Sequence, residues 1–402
     1  MLISLLVSMM TARYLGPANY GLINYATAYT AFFMAFCTLG INSILVKELI
    51  EHDGEEGEIL GTTLVLRATS SFLSAGIIIL VVGFLEADEP TTILVTALCS
   101  LSLIFHIFET FNFWFQSKLK SKVTAIVSLT AYTVTAVYKL VLLALNKSVV
   151  WFAFALSLDY ICVGVLLLVC YKRAGGQRLG FSWRVSKRLL RQSVHFILPG
   201  LMVSIYGYAD KFMLKHMLDG AEVGYYSTAV AICGMWSFVL AAIIDSAYPS
   251  IMEANRKDEK LFEKKNRQLY AIVFYMSVAV SAGFCIFGEW IIQLLYGQQY
   301  LPAAAPLRVV TWYTAFSYLG VARDAWVVCK SKQKYLKYIY ISAALSNIAL
   351  NLVFIPFWGA TGAALASLLT QIITVMVAPF FIKELRRNSV LILEGICFKN
   401  TK

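Results

Sequence analysis

The stretch that decides the fold is residues 123–173, VTAIVSLTAYTVTAVYKLVLLALNKSVVWFAFALSLDYICVGVLLLVCYKR. Two apolar runs, 123–145 and 149–171, are separated only by Asn146, Lys147 and Ser148. Each carries one formal charge, Lys139 in the first and Asp159 in the second. A hydrocarbon core about 30 Å thick takes roughly 20 helical residues to cross, so each run is a membrane-spanning helix. The same rhythm extends both ways along the chain. Of its 402 residues 59% are hydrophobic and 14% charged, and no segment is polar enough to form a soluble domain.

The pattern predicts twelve spans, near 1–12, 22–46, 59–84, 91–115, 123–145, 149–171, 194–218, 223–249, 269–295, 303–328, 336–357 and 360–383. The connectors alternate in charge. Lysines and arginines follow the even-numbered spans, as in Lys118, Lys120 and Lys122, in Arg184, Lys187, Arg188 and Arg191, and in Lys330, Lys332 and Lys334. The opposite connectors are poor in them. Basic loops stay on the cytoplasmic side, which places both termini in the cytoplasm. The net charge of +11 therefore belongs to membrane topology and implies no nucleic-acid partner. The eight cysteines form no CxxC and no Cys/His metal spacing, so they read as packing residues with no metal site. No pattern calls for a cofactor, and no nucleophile elbow, P-loop or other catalytic constellation is present, so the chain is not read as an enzyme.

The basic connector divides the chain into residues 1–171, a connector 172–193, residues 194–383 and a tail 384–402. This predicts an all-α integral membrane protein of two six-helix bundles. Leu15, Ala18, Gly21, Ala26, Ala28 and Ser43 match Leu218, Ala221, Gly224, Ala229, Ala231 and Ser246 at one constant offset of 203 residues. An even number of spans separates the copies, so they run parallel, an arrangement that transporters use. By the same offset the first helix lacks the cytoplasmic end that its counterpart has.

Charges inside spans are costly and usually face a cavity or a partner. The candidates are Arg67, Lys139 and Arg308 as cations and Asp159, Asp210 and Asp245 as carboxylates. Arg67 lies about eight residues into its span, roughly 12 Å from the cytoplasmic end. Lys211, Arg323 and Asp324 read as ion-paired or snorkelling residues. His106 and Glu109 are spaced to satisfy each other. The aromatic run Phe105, Phe108, Phe111, Phe113, Trp114 and Phe115 reads as an interfacial belt.

The segment Leu15-Gly16-Pro17-Ala18-Asn19-Tyr20-Gly21, with Tyr25, Ala26, Gly40, Lys47 and Glu48, resembles the signature of the bacterial polysaccharide-repeat-unit flippases. These are the Wzx-type members of the multidrug/oligosaccharidyl-lipid/polysaccharide exporter superfamily. Leu198-Pro199, Asp210-Lys211, Val223-Gly224-Tyr225-Tyr226, Leu295-Tyr296-Gly297 and the run from Gly359 to Ala366 extend the resemblance in order along the chain. Gly16, Pro17, Tyr20, Gly21 and Gly224 are its structural motif positions. The resemblance implies a flippase of the cytoplasmic membrane. Its cargo would be an undecaprenyl-pyrophosphate-linked oligosaccharide for O-antigen, capsule or exopolysaccharide. A polysaccharide polymerase and a chain-length regulator are implied partners, alongside membrane lipid. Arg67, Lys139 and Arg308 would meet the pyrophosphate, since cations bind it by charge-assisted hydrogen bonds. The rival is a cation-coupled multidrug antiporter of the same superfamily, which Asp159, Asp210 and Asp245 would serve.

The charge alternation makes a direct prediction. Reporter fusions after Asp88, Lys147 and Gln298 will read outside, and those after Lys120, Arg184, Lys264 and Lys334 inside. Two or more reversed positions would defeat the twelve-span topology.

Overall fold

A computed structural model describes residues 2–397, all helix and turn with no strand among them. The helices are α1 (Leu2–Cys37), α2 (Asn42–Glu51), α3 (Glu56–Leu85), α4 (Pro90–Phe105), α5 (Thr110–Ser117), α6 (Ser121–Ala144) and α7 (Val149–Arg173). They continue with α8 (Trp183–Met217), α9 (Gly220–Lys257), α10 (Glu259–Leu295), α11 (Ala304–Cys329), α12 (Leu336–Ile372), α13 (Ala378–Phe381) and α14 (Arg386–Ile396). Eight of the resulting stretches are long and apolar enough to cross a membrane, and the first and last of these, Leu6–Glu51 and Gln333–Phe381, run to 46 and 49 residues.

Those two long stretches hold two legs each. Gly16 breaks α1 with φ 74°, and Gly359 breaks α12 with φ 52°, a region that side chains other than hydrogen disfavour. At Gly16 the motif explains itself. Pro17 opens the second leg, where its missing N–H is not needed. Asn19 donates from its side chain to the Leu15 carbonyl at 3.1 Å, capping the end of the first leg. The bend at Gly359 brings the two legs so close that the Phe354 carbonyl lies where a Cβ on Gly362 would go. The small residues Ala360, Ala363, Ala364 and Ala366 are buried beside it, as close helix approach requires. The eight stretches thus make ten legs, and α8 and α11, outside those eight, bring the described residues to the twelve helical legs expected. The shortness expected of the first helix concerns residues before the described ones.

Contacts divide the chain into two compact units, Met1–Tyr208 and Ala209–Lys402, with the division inside α8. In the first unit one apolar cluster gathers Leu22, Val95, Leu142 and Phe152 around the turn between α6 and α7. A second gathers Ile41, Leu45, Phe111, Trp114, Phe115, Val185 and Leu189 at the basic end. Phe111, Trp114 and Phe115 are thus core residues and not the lipid-facing belt expected. The reason is Glu56, a buried carboxylate that accepts a 2.7 Å bond from the Trp114 indole and also pairs with Lys118.

The basic connector is a clasp on that same end. Backbone of residues 177–182 runs against α3, with Gly180 donating to the Gly57 carbonyl at 3.1 Å and Ser182 to Thr62 at 3.0 Å. Gly57 and Gly61 leave room for it, since a Cβ on either would collide with connector backbone. The first turns of α8 then bury Val185 and Leu189. Arg188 bonds Glu48 at 2.9 Å and Glu55 at 3.2 Å, Arg184 bonds Glu55 at 2.7 Å, and Gln192 bonds Glu48 at 2.6 Å. Gly40, left-handed at φ 67°, receives the Ser193 carbonyl 2.6 Å from where a Cβ would stand. Gly40 and Glu48, read above as the end of the signature, are therefore the sockets of this clasp.

The second unit repeats the device. The offset of 203 residues carries Arg184, Ser186 and Leu190 onto Arg387, Ser389 and Leu393 of α14. α14 packs on α10, where Arg387 bonds Glu263 at 2.6 Å, Glu394 bonds Arg267 at 2.8 Å and Asn388 donates to the Tyr270 hydroxyl at 2.6 Å. The tail after residue 384 is thus in part a docked helix.

Glu55 lies outside the apolar legs, and its hydrogen bond from Arg188 holds its carboxyl below the ordinary range. A depressed carboxylate stabilises above its unfolded value of about 4.3 and loses that contribution as pH falls through the folded value. The protection factors of residues 177–193, exchange rates divided into the intrinsic rate at the same pH, will therefore fall on acidification. Glu55→Gln will show faster exchange at neutral pH and a smaller acid response.

Candidate functional site

The charges placed inside the spans gather at separate places in the two units. In the first unit Arg67 sits on α3 with no solvent exposure. Its guanidinium donates to Thr110 Oγ1 at 3.0 Å, to the His106 carbonyl at 3.2 Å and to His106 Nδ1 at 2.6 Å, with Asn42 Oδ1 at 3.5 Å. His106 Nε2 in turn meets Glu109 Oε2 at 2.7 Å. His106 and Glu109 satisfy each other as their spacing suggested, and Arg67 completes the row.

The backbone there is a 3₁₀ turn, His106–Glu109, between α4 and α5. A 3₁₀ stretch between two helical segments often marks a hinge or local strain. It packs on α7 at Gly164, where a Cβ would press on the Phe108 ring at 3.1 Å.

Lys139 and Asp159 line a different place, a cavity of about 260 Å³ within the first unit. Ser8, Tyr132, Thr135 and Leu156 line it with them. Thr135 donates to Asp159 Oδ1 at 3.3 Å. A lysine and a carboxylate on facing helices of one cavity form an electrostatic pair in a medium that strengthens it.

In the second unit Asp210 of α8 is buried, 2% exposed. Its carboxylate is the focus of the region. Oδ1 accepts from Asn351 at 2.6 Å and Asn347 at 3.0 Å; Oδ2 accepts from Ser367 at 2.5 Å and from the Tyr226 hydroxyl. Asn351 also donates to Asn347 at 3.1 Å. Four donors from α9 and both legs of α12 thus surround one anion, as a buried charge needs. Sequence reading found Asp210 and missed its partners. Their signal was present in two asparagines one turn apart, Asn347 and Asn351, on an otherwise apolar helix.

The remaining candidates are placed otherwise. Arg308 lies near the start of α11, about half exposed, and bonds Glu289 at 2.8 Å. Asp245 is exposed on α9. Arg323 is buried, 3.6 Å from Asp324, and donates to the Thr374 carbonyl at 3.1 Å. Thr374 falls in a π-helical turn, Ile373–Val377, whose register assigns its carbonyl to the N–H of residue 379. That residue is Pro379, which has none, so Arg323 supplies the missing donor. Gly21 and Gly224 are both buried, each a few residues into the leg that follows a break, as the repeat requires. Among the described residues no group of His, Cys, Asp and Glu is arranged to hold a metal ion.

Asp210→Asn will keep the fold, because the Tyr226 and Ser367 hydroxyls can turn to accept from the new amide. Asp210→Ala leaves both asparagine amides without the carboxylate, a cost of about 1–3 kcal/mol for each orphaned donor. Thermal unfolding of the purified protein in detergent will rank wild type, Asp210→Asn and Asp210→Ala in that order, with the larger gap at alanine.

The fold is that of known transporters. The chain superimposes on the lipid II flippase MurJ in an inward closed conformation with a TM-score of 0.73 at 14% identity, covering 100% of this chain and 90% of that one. An inward-facing multidrug resistance MATE family transporter of the MOP superfamily gives 0.71 at 15% identity, covering 97% and 94%. A proposed O-antigen transporter of Shigella dysenteriae is 22% identical over 191 residues, 46% of this chain and 47% of its own. An uncharacterised membrane protein of Methanocaldococcus jannaschii is 20% identical over 253 residues, 60% of this chain and 49% of its own. The chain thus spans about half the length of the curated relatives it matches. The model of the polysaccharide biosynthesis protein family matches residues 1–255, more than half of the sequence, so this multi-span membrane protein belongs to that family.

Proposed function

We propose that the protein moves an undecaprenyl-pyrophosphate-linked oligosaccharide from the inner to the outer leaflet of the bacterial cytoplasmic membrane, by alternating access, for surface polysaccharide. The observation that carries this reading is a cation kept deep in an apolar bundle: Arg67, wholly buried inside its span. Membership of a polysaccharide biosynthesis family supports it. Such a cargo has a lipid tail that stays in the bilayer and an anionic, sugar-bearing head that must not touch hydrocarbon. A planar guanidinium matches a phosphate oxygen pair in geometry as well as charge. Lys139, beside its cavity, is the second cation for the head. Arg308, engaged by Glu289, contributes least of the three. A polymerase and a chain-length regulator would take the product.

A second reading, a cation-coupled multidrug antiporter, is favoured by one observation, the buried carboxylate of Asp210 and its ring of donors. Asp210 also serves the first reading, as the group through which an ion gradient would drive the cycle. Asp159 and Asp245 are its companions in that role.

Surface polysaccharide measured in a flippase-deficient host at matched membrane abundance tests the assignment. Arg67→Ala will lose most of it. Arg67→Lys will restore part, because the charge remains and the fork is lost. Arg67→Glu will fall below alanine, since it sets an anion against an anion. Normal polysaccharide from Arg67→Glu would remove the anionic cargo and favour the antiporter.

A further inference from the structure

The row Arg67–His106–Glu109 has one consistent assignment of protons. Arginine only donates, so His106 Nδ1, 2.6 Å from the Arg67 guanidinium, accepts. The ring proton therefore sits on Nε2 and is donated to Glu109 at 2.7 Å. A neutral imidazole thus bridges a buried cation to the carboxylate that balances it. The two ends differ in access. The Arg67 side chain is fully enclosed, and the His106 side chain is 8% exposed, against 34% for Glu109. Glu109 is the most exposed member of the row.

Few other charged or titratable groups face this row. From α7, Tyr160 stacks edge-on to His106 with ring centroids 5.4 Å apart, and Asp159 lies beyond Tyr160 on the same helix. From α1, Cys37 approaches Arg67. From α3 there is Arg67 itself. Glu109 is thus the carboxylate that answers the guanidinium directly through a bridge.

We propose that Glu109 takes up a proton when an anionic ligand occupies Arg67, so that proton and anion bind together. While Glu109 is ionised, the Arg67 charge is balanced within the protein, although its buried Nε has no hydrogen-bond partner among the described residues, and an added anion must displace that balance. Once the Glu109 carboxylate is protonated, the buried guanidinium lacks a counter-ion, which low-dielectric surroundings make costly. A phosphate-type anion then supplies the missing charge. Linkage makes the effect reciprocal: acid favours the anion, and the anion favours the proton. The 3₁₀ turn that carries both His106 and Glu109 is the element that the exchange would shift. This deepens the flippase reading, on which the identity of the anion rests.

The test uses inorganic pyrophosphate and the full protein in lipid nanodiscs, with binding followed by calorimetry at acid and at neutral pH. Wild type will bind about tenfold more tightly at acid pH, with proton uptake visible as a buffer-dependent heat. Glu109→Gln, of the same shape and fixed in the neutral state, will bind at neutral pH as tightly as wild type does in acid, without proton uptake. The ligand's own titration is common to both proteins and cancels in their ratio. His106→Ala, which removes the bridge, will shrink the pH dependence. Equal pH dependence in wild type and Glu109→Gln would overturn the proposal, and so would no pyrophosphate binding at either pH. Lipid-linked oligosaccharide transport into vesicles, assayed in parallel, stands or falls by itself and tells failure of the coupling from failure of the flippase reading.

Discussion

Hydrocarbon offers no hydrogen bonds, so each polar group inside a spanning leg must be answered by the chain itself. Much of the architecture follows from that one demand. Asp210 draws α8, α9 and both legs of α12 to a single point. Arg67 ties α3 to the turn between α4 and α5. Arg323 answers a carbonyl that Pro379 strands. These are the places where an otherwise greasy bundle is told which helix belongs beside which. Leucines and valines fill space but discriminate little between partners in lipid, whereas a buried charge with a fixed set of donors tolerates few neighbours.

The same demand separates structural from available charge. Arg67 and Asp210 are both deep, but their surroundings differ. Asp210 has its four donors and a fully enclosed carboxylate. The Arg67 row ends at Glu109, whose carboxylate reaches an open face. Lys139 and Asp159 face a cavity and not a closed shell. Function, on this view, belongs to the charges whose partners are incomplete or exchangeable, and depth alone is a poor guide to it.

Much of the fold was legible in the sequence because its signals are one-dimensional. Span length, loop charge and the repeat offset survive without any knowledge of packing. The glycine breaks at Gly16 and Gly359 were visible as the borders of short spans. What was not legible required a third dimension. Phe111, Trp114 and Phe115 resemble an interfacial belt until Glu56 is seen needing the indole. Gly57 and Gly61 look like ordinary helix glycines until the connector is laid across them. The row from Arg67 to Glu109 opens with a link between residues 39 positions apart, and only its last link, from His106 to Glu109, is local. The partners of Asp210 lie as far as 157 residues away, beyond the reach of any periodicity.

The clasp on the first unit carries a consequence for how the protein is made. Glu48 is made early, at the basic end of the first unit, and its partner Gln192 follows 144 residues later. At about 5–20 residues per second, that interval is on the order of ten seconds. Through it, its own neighbour His52, at 3.5 Å, is already in place, while Arg188 and Gln192 are not. The nascent first unit is therefore an unfinished product until the ribosome has passed the connector, its carboxylate waiting for an arginine that has not yet been translated.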